Sequence, residues 1–281
     1  MGGSQSEQVS GREIYDPTRL VRHSIALGRS IVAVTINYRV GPLGFLASAE
    51  LQEYNKRLNE PVGNYGLHDQ RRAIEWVSRY IAPFGGDPGN ITIQGSSAGA
   101  SSCHYQSIFP HRKFCRAILA SGTITGIGPI TLEKHQALFD TFKGKFAADA
   151  SSNAEAIQRL QTIPVQTFVS AFPRTVANPL IDDDWIPSAY LGEIGRADDP
   201  PDLMVGSCAF EVSFPSHSRW HQGIAGVLSV TPLPCGYFAK VRRMFADTVR
   251  STISESAFCM ICQPSNRCQQ TLWRRKQEAY S

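Results

Sequence analysis

The stretch Asn90-Ile91-Thr92-Ile93-Gln94-Gly95-Ser96-Ser97-Ala98-Gly99 decides how this chain folds. Its first half is rich in β-branched residues and predicts a short buried strand, whereas residues 98–108 are small and predict a helix. Between the two lies the pattern G-x-S-x-G, centred on Ser97. A turn this tight holds its serine at strained dihedral angles and leaves no room for a Cβ at Gly95 and Gly99. The stretch therefore predicts a strand, a sharp turn and a helix, with Ser97 as the candidate nucleophile.

The same alternation continues upstream of this stretch. Residues 31–36 form a β-branched run that predicts an interior strand, buried on both faces as in a parallel sheet. A helix is expected to begin at Asp69, because apolar residues recur after it at helical spacing. The face expected to pack on the sheet comprises Ala73, Trp76, Val77, Tyr80 and Ile81.

Downstream, residues 116–119 and 202–206 predict two further strands. A helix over residues 153–160 is expected to be capped by Ser152 or Asn153. Strands that alternate with helices in this way indicate an α/β fold with a mostly parallel sheet flanked by helices. Beyond about residue 216 the periodicity fades, and we expect an irregular C-terminal tail.

The length and composition of the chain are those of a globular protein. The chain has 281 residues, 42% of them hydrophobic, which is enough to bury a substantial core. Apolar runs stay well short of the roughly 20 residues that span a bilayer, so we expect no transmembrane segment. Residues 1–7 show no charged and then apolar pattern, so the sequence as written predicts no signal peptide.

The tail, residues 216–281, differs from the rest of the chain in charge and in cysteine content. It carries nine Lys or Arg against three Asp or Glu, a net charge of +6, whereas residues 1–215 sum to −2. No nucleic-acid-reading element accompanies this charge, so we expect no nucleic-acid partner. Four of the seven cysteines also lie here, but no histidine follows Cys268 to complete a zinc site, so no metal is expected.

Five segments follow one another in an order and spacing that resemble a known family. They are Ile36-Asn37-Tyr38-Arg39-Val40-Gly41-Pro42-Leu43-Gly44-Phe45, Gly63-Asn64-Tyr65-Gly66-Leu67-His68-Asp69-Gln70, Phe84-Gly85-Gly86-Asp87-Pro88, the stretch around Ser97, and Leu180-Ile181-Asp182-Asp183-Asp184-Trp185-Ile186-Pro187. Together they resemble the type-B carboxylesterases and related lipases of the α/β-hydrolase fold, over residues 11–214. The resemblance implies a nucleophile elbow at Ser97.

The resemblance also implies the other site residues. Glu211 is the acid that would orient a catalytic histidine, although the family's usual preceding aspartate is replaced here by Phe210. The backbone N–H of Ala98, and that of Gly3 in a remnant of a glycine-rich loop, are the expected oxyanion donors. Ser96 replaces the family's glutamate before the nucleophile, and this predicts that Arg39 pairs with Asp69 instead.

The catalytic histidine is the missing member of this set. In α/β-hydrolases the order is nucleophile, acid, histidine, and only His217 and His221 follow Glu211. Both lack the flanking residues of the family's histidine loop. The general base could therefore be one of these two residues or a histidine that the chain lacks. The earlier histidines have local explanations, with His135 expected on an exposed connection.

The expected organisation is a partial carboxylesterase domain over residues 1–215 and a divergent, basic, cysteine-rich tail over residues 216–281. The chain therefore resembles a truncated family member. Its implied function is hydrolysis of small-molecule or lipid carboxylic esters through a serine acyl-enzyme, without cofactor or metal. The alternative is a non-catalytic esterase-like fragment or binding scaffold that lacks the histidine.

Overall fold

The computed structural model describes residues 16–109, 111–124, 126–172, 178–188 and 201–206, and the backbone of residues 258–264. The strands are β1 (Val32–Thr35), β2 (Gly86–Ser96), β3 (Arg116–Ala120), β4 (Asp202–Gly206) and β5 (Phe258–Pro264). The helices are α1 (Thr18–Ala26), α2 (Gly41–Phe45), α3 (Ala49–Arg57), α4 (Tyr65–Tyr80), α5 (Ala98–Ile108), α6 (Leu132–Phe146), α7 (Asn153–Thr162) and α8 (Val165–Ser170). A 3₁₀ turn, Ala82–Phe84, links α4 to β2.

The five strands form one sheet in the order β1-β5-β2-β3-β4. β2 pairs with β3, and β3 with β4, in parallel, whereas β5 is antiparallel to both β1 and β2. Strands β1 to β4 therefore all run in the same direction. The predicted α/β fold with a mostly parallel sheet flanked by helices is confirmed. The predicted strands at residues 116–119 and 202–206 are confirmed as well. So is the predicted cap of α7, where Ser152 Oγ accepts a hydrogen bond from the N–H of Glu155.

Strand β5 is the main difference from the sequence-based expectation of an irregular tail. Thr35 of β1 and Gln94 of β2 both lie opposite Cys259, and Val32 and Ile91 both lie opposite Cys262. The tail thus supplies the strand that joins β1 to the rest of the sheet. Hydrophobic periodicity missed this strand because its partners lie more than 160 residues away.

The prediction of β1 as an interior strand buried on both faces is wrong. All four of its residues are half-buried, and β1 lies at the edge of the described sheet, paired with β5 on one side. A β-branched run reports how well a chain fits a pleated surface, and it does so for edge and centre strands alike.

Helix α4 begins four residues earlier than predicted, at Tyr65, after Asn64 in a left-handed conformation with φ 53°. Its buried face also differs from the predicted one. Trp76 and Tyr80 are about half exposed, at 48% and 46%. The face that packs inward comprises Leu67, Gln70, Arg71, Ile74 and Val77, of which Ile74 and Val77 join the cluster on the sheet. Val77 and Ile81 of the predicted face are buried, as expected. The packed face is turned toward Ile74 because a second set of residues, beginning at Leu67, recurs at the same helical spacing.

The core has three parts around the sheet. One cluster packs α4 and α5 against the strands and contains Ile91, Ile93 and Leu119. A second surrounds the start of α5, and a third lies among α3, α6, α7 and α8. The second cluster is the one that supports the predicted site, because Ala98 belongs to it.

His135 is buried in α6, not exposed on a connection as predicted. Its side chain is 1% exposed, and neither ring nitrogen has a hydrogen-bond partner among the described residues. Burial lowers its pKa from 6.5 to about 4, with the backbone carbonyl of Pro179 opposing the change. The imidazole is therefore neutral in the folded protein at pH 5 to 8.

Replacing His135 by leucine is expected to flatten the pH dependence of stability between pH 4 and 6.5. In that window the unfolded chain binds a proton at His135 and the folded chain does not, so stability rises with pH by about 3 kcal/mol on account of this group. Urea unfolding at pH 4.5 and 7.5 measures the change. His23→Leu, at an exposed site in α1, is the matched control, and an unchanged slope in His135→Leu would contradict the assignment.

Candidate active site

Ser97 lies in the turn between β2 and α5 with φ 52° and ψ −118°. A positive φ is costly for a residue with a Cβ, by about 1–3 kcal/mol, and persists only where the surroundings enforce it. Here the Ser97 N–H donates to the carbonyl of Ala120 at 2.8 Å, and the Ser97 carbonyl accepts from the N–H of Ser101 at 3.0 Å. These two hydrogen bonds hold the strained backbone of Ser97 in place.

Two glycines make this turn sterically feasible. A Cβ on Gly95 would lie 2.2 Å from the carbonyl carbon of Gly99, so the prediction that Gly95 has no room for a side chain is confirmed. A Cβ on Gly122 would lie 2.2 Å from the Ser97 carbonyl oxygen. Sequence reasoning missed Gly122 as a site residue, because only the fold brings the end of β3 beside the turn. The Ser121-Gly122 pair that ends the predicted strand was its one sequence signal.

The carboxyl ends of three parallel strands lie side by side at this turn. Ser96 of β2 pairs with Ala120 of β3, which pairs in turn with Gly206 of β4. The N–H of Ser121 donates to the carbonyl of Gly206 at 2.7 Å. Functional groups in open α/β sheets gather at this edge, and the chain that leaves Gly206 leads toward Glu211.

Ala98 begins α5 and is fully buried. The first N–H groups of an α-helix have no acceptor within the helix and carry its positive dipole end. The Ala98 N–H is one of these and follows Ser97 directly in the chain, and its role as an oxyanion donor stays a prediction.

The predicted pair between Arg39 and Asp69 is confirmed. Arg39 Nη2 donates to Asp69 Oδ1, and Nε donates to Oδ2, each at 2.8 Å. Burial opposes ionisation of Asp69, but the hydrogen bonds from the side chain and backbone of Arg39 outweigh it and hold the pKa of this carboxyl below its usual value. The pair ties the segment after β1 to α4.

A second connection anchors the segment 180–188 to the start of α4. The Asn64 side chain donates to the carbonyl of Leu180 at 2.9 Å and to Asp182 Oδ2 at 2.8 Å. Asp182 Oδ1 in turn accepts from the backbone N–H groups of Trp185 and Ile186. Trp185 and Ile186 pack in the same buried cluster as Ala98, the residue after Ser97. The hydrogen bonds of Asn64 and Asp182 therefore position side chains that pack beside the turn.

No histidine among the described residues forms a hydrogen bond to the Ser97 hydroxyl, and two of them are held in packed surroundings. His104 Nδ1 accepts from the N–H of Ile124 at 3.4 Å, and burial lowers its pKa to about 4. His68 packs edge-on against Trp185, with ring centroids 4.8 Å apart. Within the described ranges, the Ser97 hydroxyl makes no hydrogen bond to any of them.

Glu211, Gly3, His217 and His221 lie outside the described residues. The structure therefore brings together Ser97, Ala98, Gly95 and Gly99. The roles of Ser97 as nucleophile and of Ala98 as oxyanion donor stay predictions, as do the acid, the base and the second oxyanion donor. Among the described residues no group of three His, Cys, Asp or Glu side chains could hold a metal ion. In the same part of the chain, no helix combines the length and apolar character that a membrane span requires.

A serine with a strained backbone between a central parallel strand and a helix is the arrangement of the G-x-S-x-G turn in α/β-hydrolases. The fold and this turn place the chain among the α/β-hydrolases. It belongs to the carboxylesterase family, whose sequence profile matches residues 1–231.

Individual relatives agree with this assignment. The chain is 34% identical to human (Homo sapiens) bile salt-activated lipase over 215 residues, which is 71% of this chain and 26% of the lipase. It is 36% identical to secreted lipase 1 of Botryotinia fuckeliana over 58% of this chain and 29% of that protein. A solved PNB esterase structure superimposes with a TM-score of 0.59 at 27% identity, covering 73% of this chain and 43% of the esterase. The chain spans about a third or less of the length of these curated lipases.

Proposed function

We propose that the chain is a carboxylic ester hydrolase that works through an acyl-enzyme on Ser97. The observation that carries the proposal is the backbone of Ser97, held at φ 52° beside the N–H of Ala98. Strain of this kind has a cost, and it exposes the hydroxyl at the carboxyl edge of the sheet where a substrate carbonyl can approach. Family membership and the lipase and esterase relatives support the same reaction class.

In the proposed reaction the Ser97 oxygen attacks the ester carbonyl carbon while a general base takes its proton. The carbonyl oxygen becomes negatively charged, and the N–H of Ala98, joined by that of Gly3, stabilises it. The bond to the alcohol then breaks, and the alcohol leaves with the proton. Water next attacks the acyl-serine, releasing the carboxylic acid and restoring the hydroxyl.

Glu211 is proposed as the acid that orients the base, and the base stays open between His217, His221 and a histidine that this sequence does not contain. Support for Glu211 comes from the described register, since β4 ends at Gly206 level with the end of β2. A loop of a few residues from Gly206 suffices to carry a carboxylate to the edge where Ser97 lies.

A second candidate is a non-catalytic esterase-like scaffold. One observation favours it: among the described residues, no side chain forms a hydrogen bond to the Ser97 hydroxyl, so no base activates it there. Both candidates predict the same fold, and the reactivity of Ser97 separates them.

A fluorophosphonate probe tests the proposal directly. We expect one phosphonyl group per chain, found by peptide mass spectrometry on the peptide that contains Ser97, because an activated serine reacts far faster than an ordinary one. Ser97→Ala should take up no label, and Ser102→Ala, which removes a buried hydroxyl without a partner, should label normally. Absence of labelling in the folded wild-type protein would favour the scaffold.

A further inference from the structure

A cavity of about 440 Å³ lies among α2, α3, α6, α7 and α8, separate from the turn that holds Ser97. Its lining is mostly apolar and consists of Pro42, Leu43, Leu46, Leu51, Phe139, Ile157, Leu160, Ile163, Val165 and Phe168, together with the polar residues Arg39, Tyr54, Asn55, Tyr65 and Gln161. Ser97 is not among them. The volume falls in the range of small-molecule sites in proteins.

The apolar part of the cavity has a buried floor and an exposed rim. Leu46, Phe139 and Ile157 are buried together in one cluster and form the floor. Leu43 and Val165, on α2 and α8, are 40% and 56% exposed and lie at the mouth. A lining that is apolar from floor to rim favours an alkyl chain, which can enter from water past Leu43 and Val165.

The polar part of the cavity offers both donors and acceptors. The Asn55 side chain donates to the carbonyl of Pro61 and to the hydroxyl of Tyr65, each at 2.9 Å. These two hydrogen bonds orient the side-chain amide of Asn55. Among the described residues, Asn55 Oδ1 accepts no hydrogen bond and the Tyr65 hydroxyl donates none, so one acceptor and one donor remain for a ligand. The Tyr54 hydroxyl accepts from Gln161 at 3.4 Å and has its own proton to donate. A hydroxyl or ester group matches such a mixed set.

The charge near the cavity disfavours an anionic headgroup. Among the described residues that line it, Arg39 alone is charged, and two hydrogen bonds of 2.8 Å already commit its guanidinium to Asp69. Glu60 adds a second negative charge near the same group. A carboxylate would therefore meet a compensated cation and the two like charges of Asp69 and Glu60.

We propose that this cavity binds an uncharged amphiphile, an alkyl chain that ends in a hydroxyl or ester group. The chain lies on Leu46, Phe139 and Ile157, and the head hydrogen-bonds to Asn55 and Tyr65. This site is additional to Ser97, and its occupation does not depend on the proposed hydrolysis.

Calorimetric titration of the full chain with 1-decanol and with decanoate at pH 8 tests the chemistry of the ligand. Both compounds have the same chain length and neither is an ester, so hydrolysis does not enter the measurement. We expect saturable binding of one 1-decanol per chain and at least tenfold weaker binding of decanoate. Decanoate that binds as tightly as 1-decanol would overturn the uncharged head, and unsaturable 1-decanol binding would overturn the site.

A filling substitution tests the location. Leu160→Trp places a larger side chain in the cavity and is expected to weaken 1-decanol binding at least tenfold, whereas Leu58→Trp, at an exposed position outside the lining, should leave it unchanged. Ile163→Trp, at the end of α7, serves if circular dichroism shows that Leu160→Trp has not folded. Unchanged affinity in a folded filled variant would place the ligand elsewhere.

Discussion

Ser97→Ala is expected to lower kcat/KM for p-nitrophenyl esters by about 10³-fold or more, because it removes the hydroxyl that is proposed to form the acyl-enzyme. The substitution keeps the Cβ and the backbone bonds to Ala120 and Ser101, so the strained conformation is retained. Stability should therefore stay within about 0.5 kcal/mol of the wild type. The loss would then be one of chemistry and not of folding.

The control for this variant is Ser102→Ala, one turn further along the same helix. Ser102 is fully buried and its hydroxyl has no hydrogen-bond partner among the described residues, so its removal should leave both turnover and stability nearly unchanged. Hydrolysis that survives in Ser97→Ala would refute the proposed nucleophile. The same assay on His217→Ala and His221→Ala identifies which histidine, if either, acts as the base.

Ending the chain at residue 257 is expected to abolish cooperative unfolding, whereas ending it at residue 264 is not. The shorter chain loses β5, which pairs with β1 at four positions and with β2 at six. Without it, β1 has no partner in the described sheet, and the N–H and C=O groups along both flanking strands lose their acceptors and donors. At about 1 kcal/mol for each hydrogen bond, the loss rivals the whole stability of a domain.

The two truncations are matched, because both remove residues 265–281 and differ only by the strand and its seven residues. Thermal unfolding followed by circular dichroism, together with hydrogen exchange at β1, reports the outcome. A chain ending at residue 257 that unfolds at the wild-type temperature would show that β5 does not hold the sheet together.

Much of the candidate site could be predicted from local sequence. The strand, the turn and α5 follow from residues that are neighbours in the chain, and Gly95 is required by a contact with the backbone of Gly99, only four residues away. The pair of Arg39 and Asp69 was predicted because the family's usual carboxylate is replaced at Ser96. Such inferences succeed because short-range sterics and complementary charges limit the alternatives.

Features that depend on distant parts of the chain could not be predicted in this way. Trp76 and Tyr80 were expected on the buried face of α4 but are about half exposed. His135 was expected on an exposed connection but is buried in α6. In both segments the spacing of apolar residues is compatible with more than one orientation of the helix. Packing against the sheet and against the neighbouring helices selects one of them.

The sequence by itself determined that a strand, a tight turn and a helix follow one another around Ser97, because the β-branched run, the glycine pattern and the small residues that predict them are neighbours in the chain. Tertiary structure alone decided what surrounds that turn. It brought Gly122 to within a Cβ clash of the Ser97 carbonyl, aligned Gly206 with Ala120 at the same sheet edge, and set β5 between β1 and β2. These contacts join residues far apart in the chain, and their formation depends on the packing of the whole sheet and not on any local pattern.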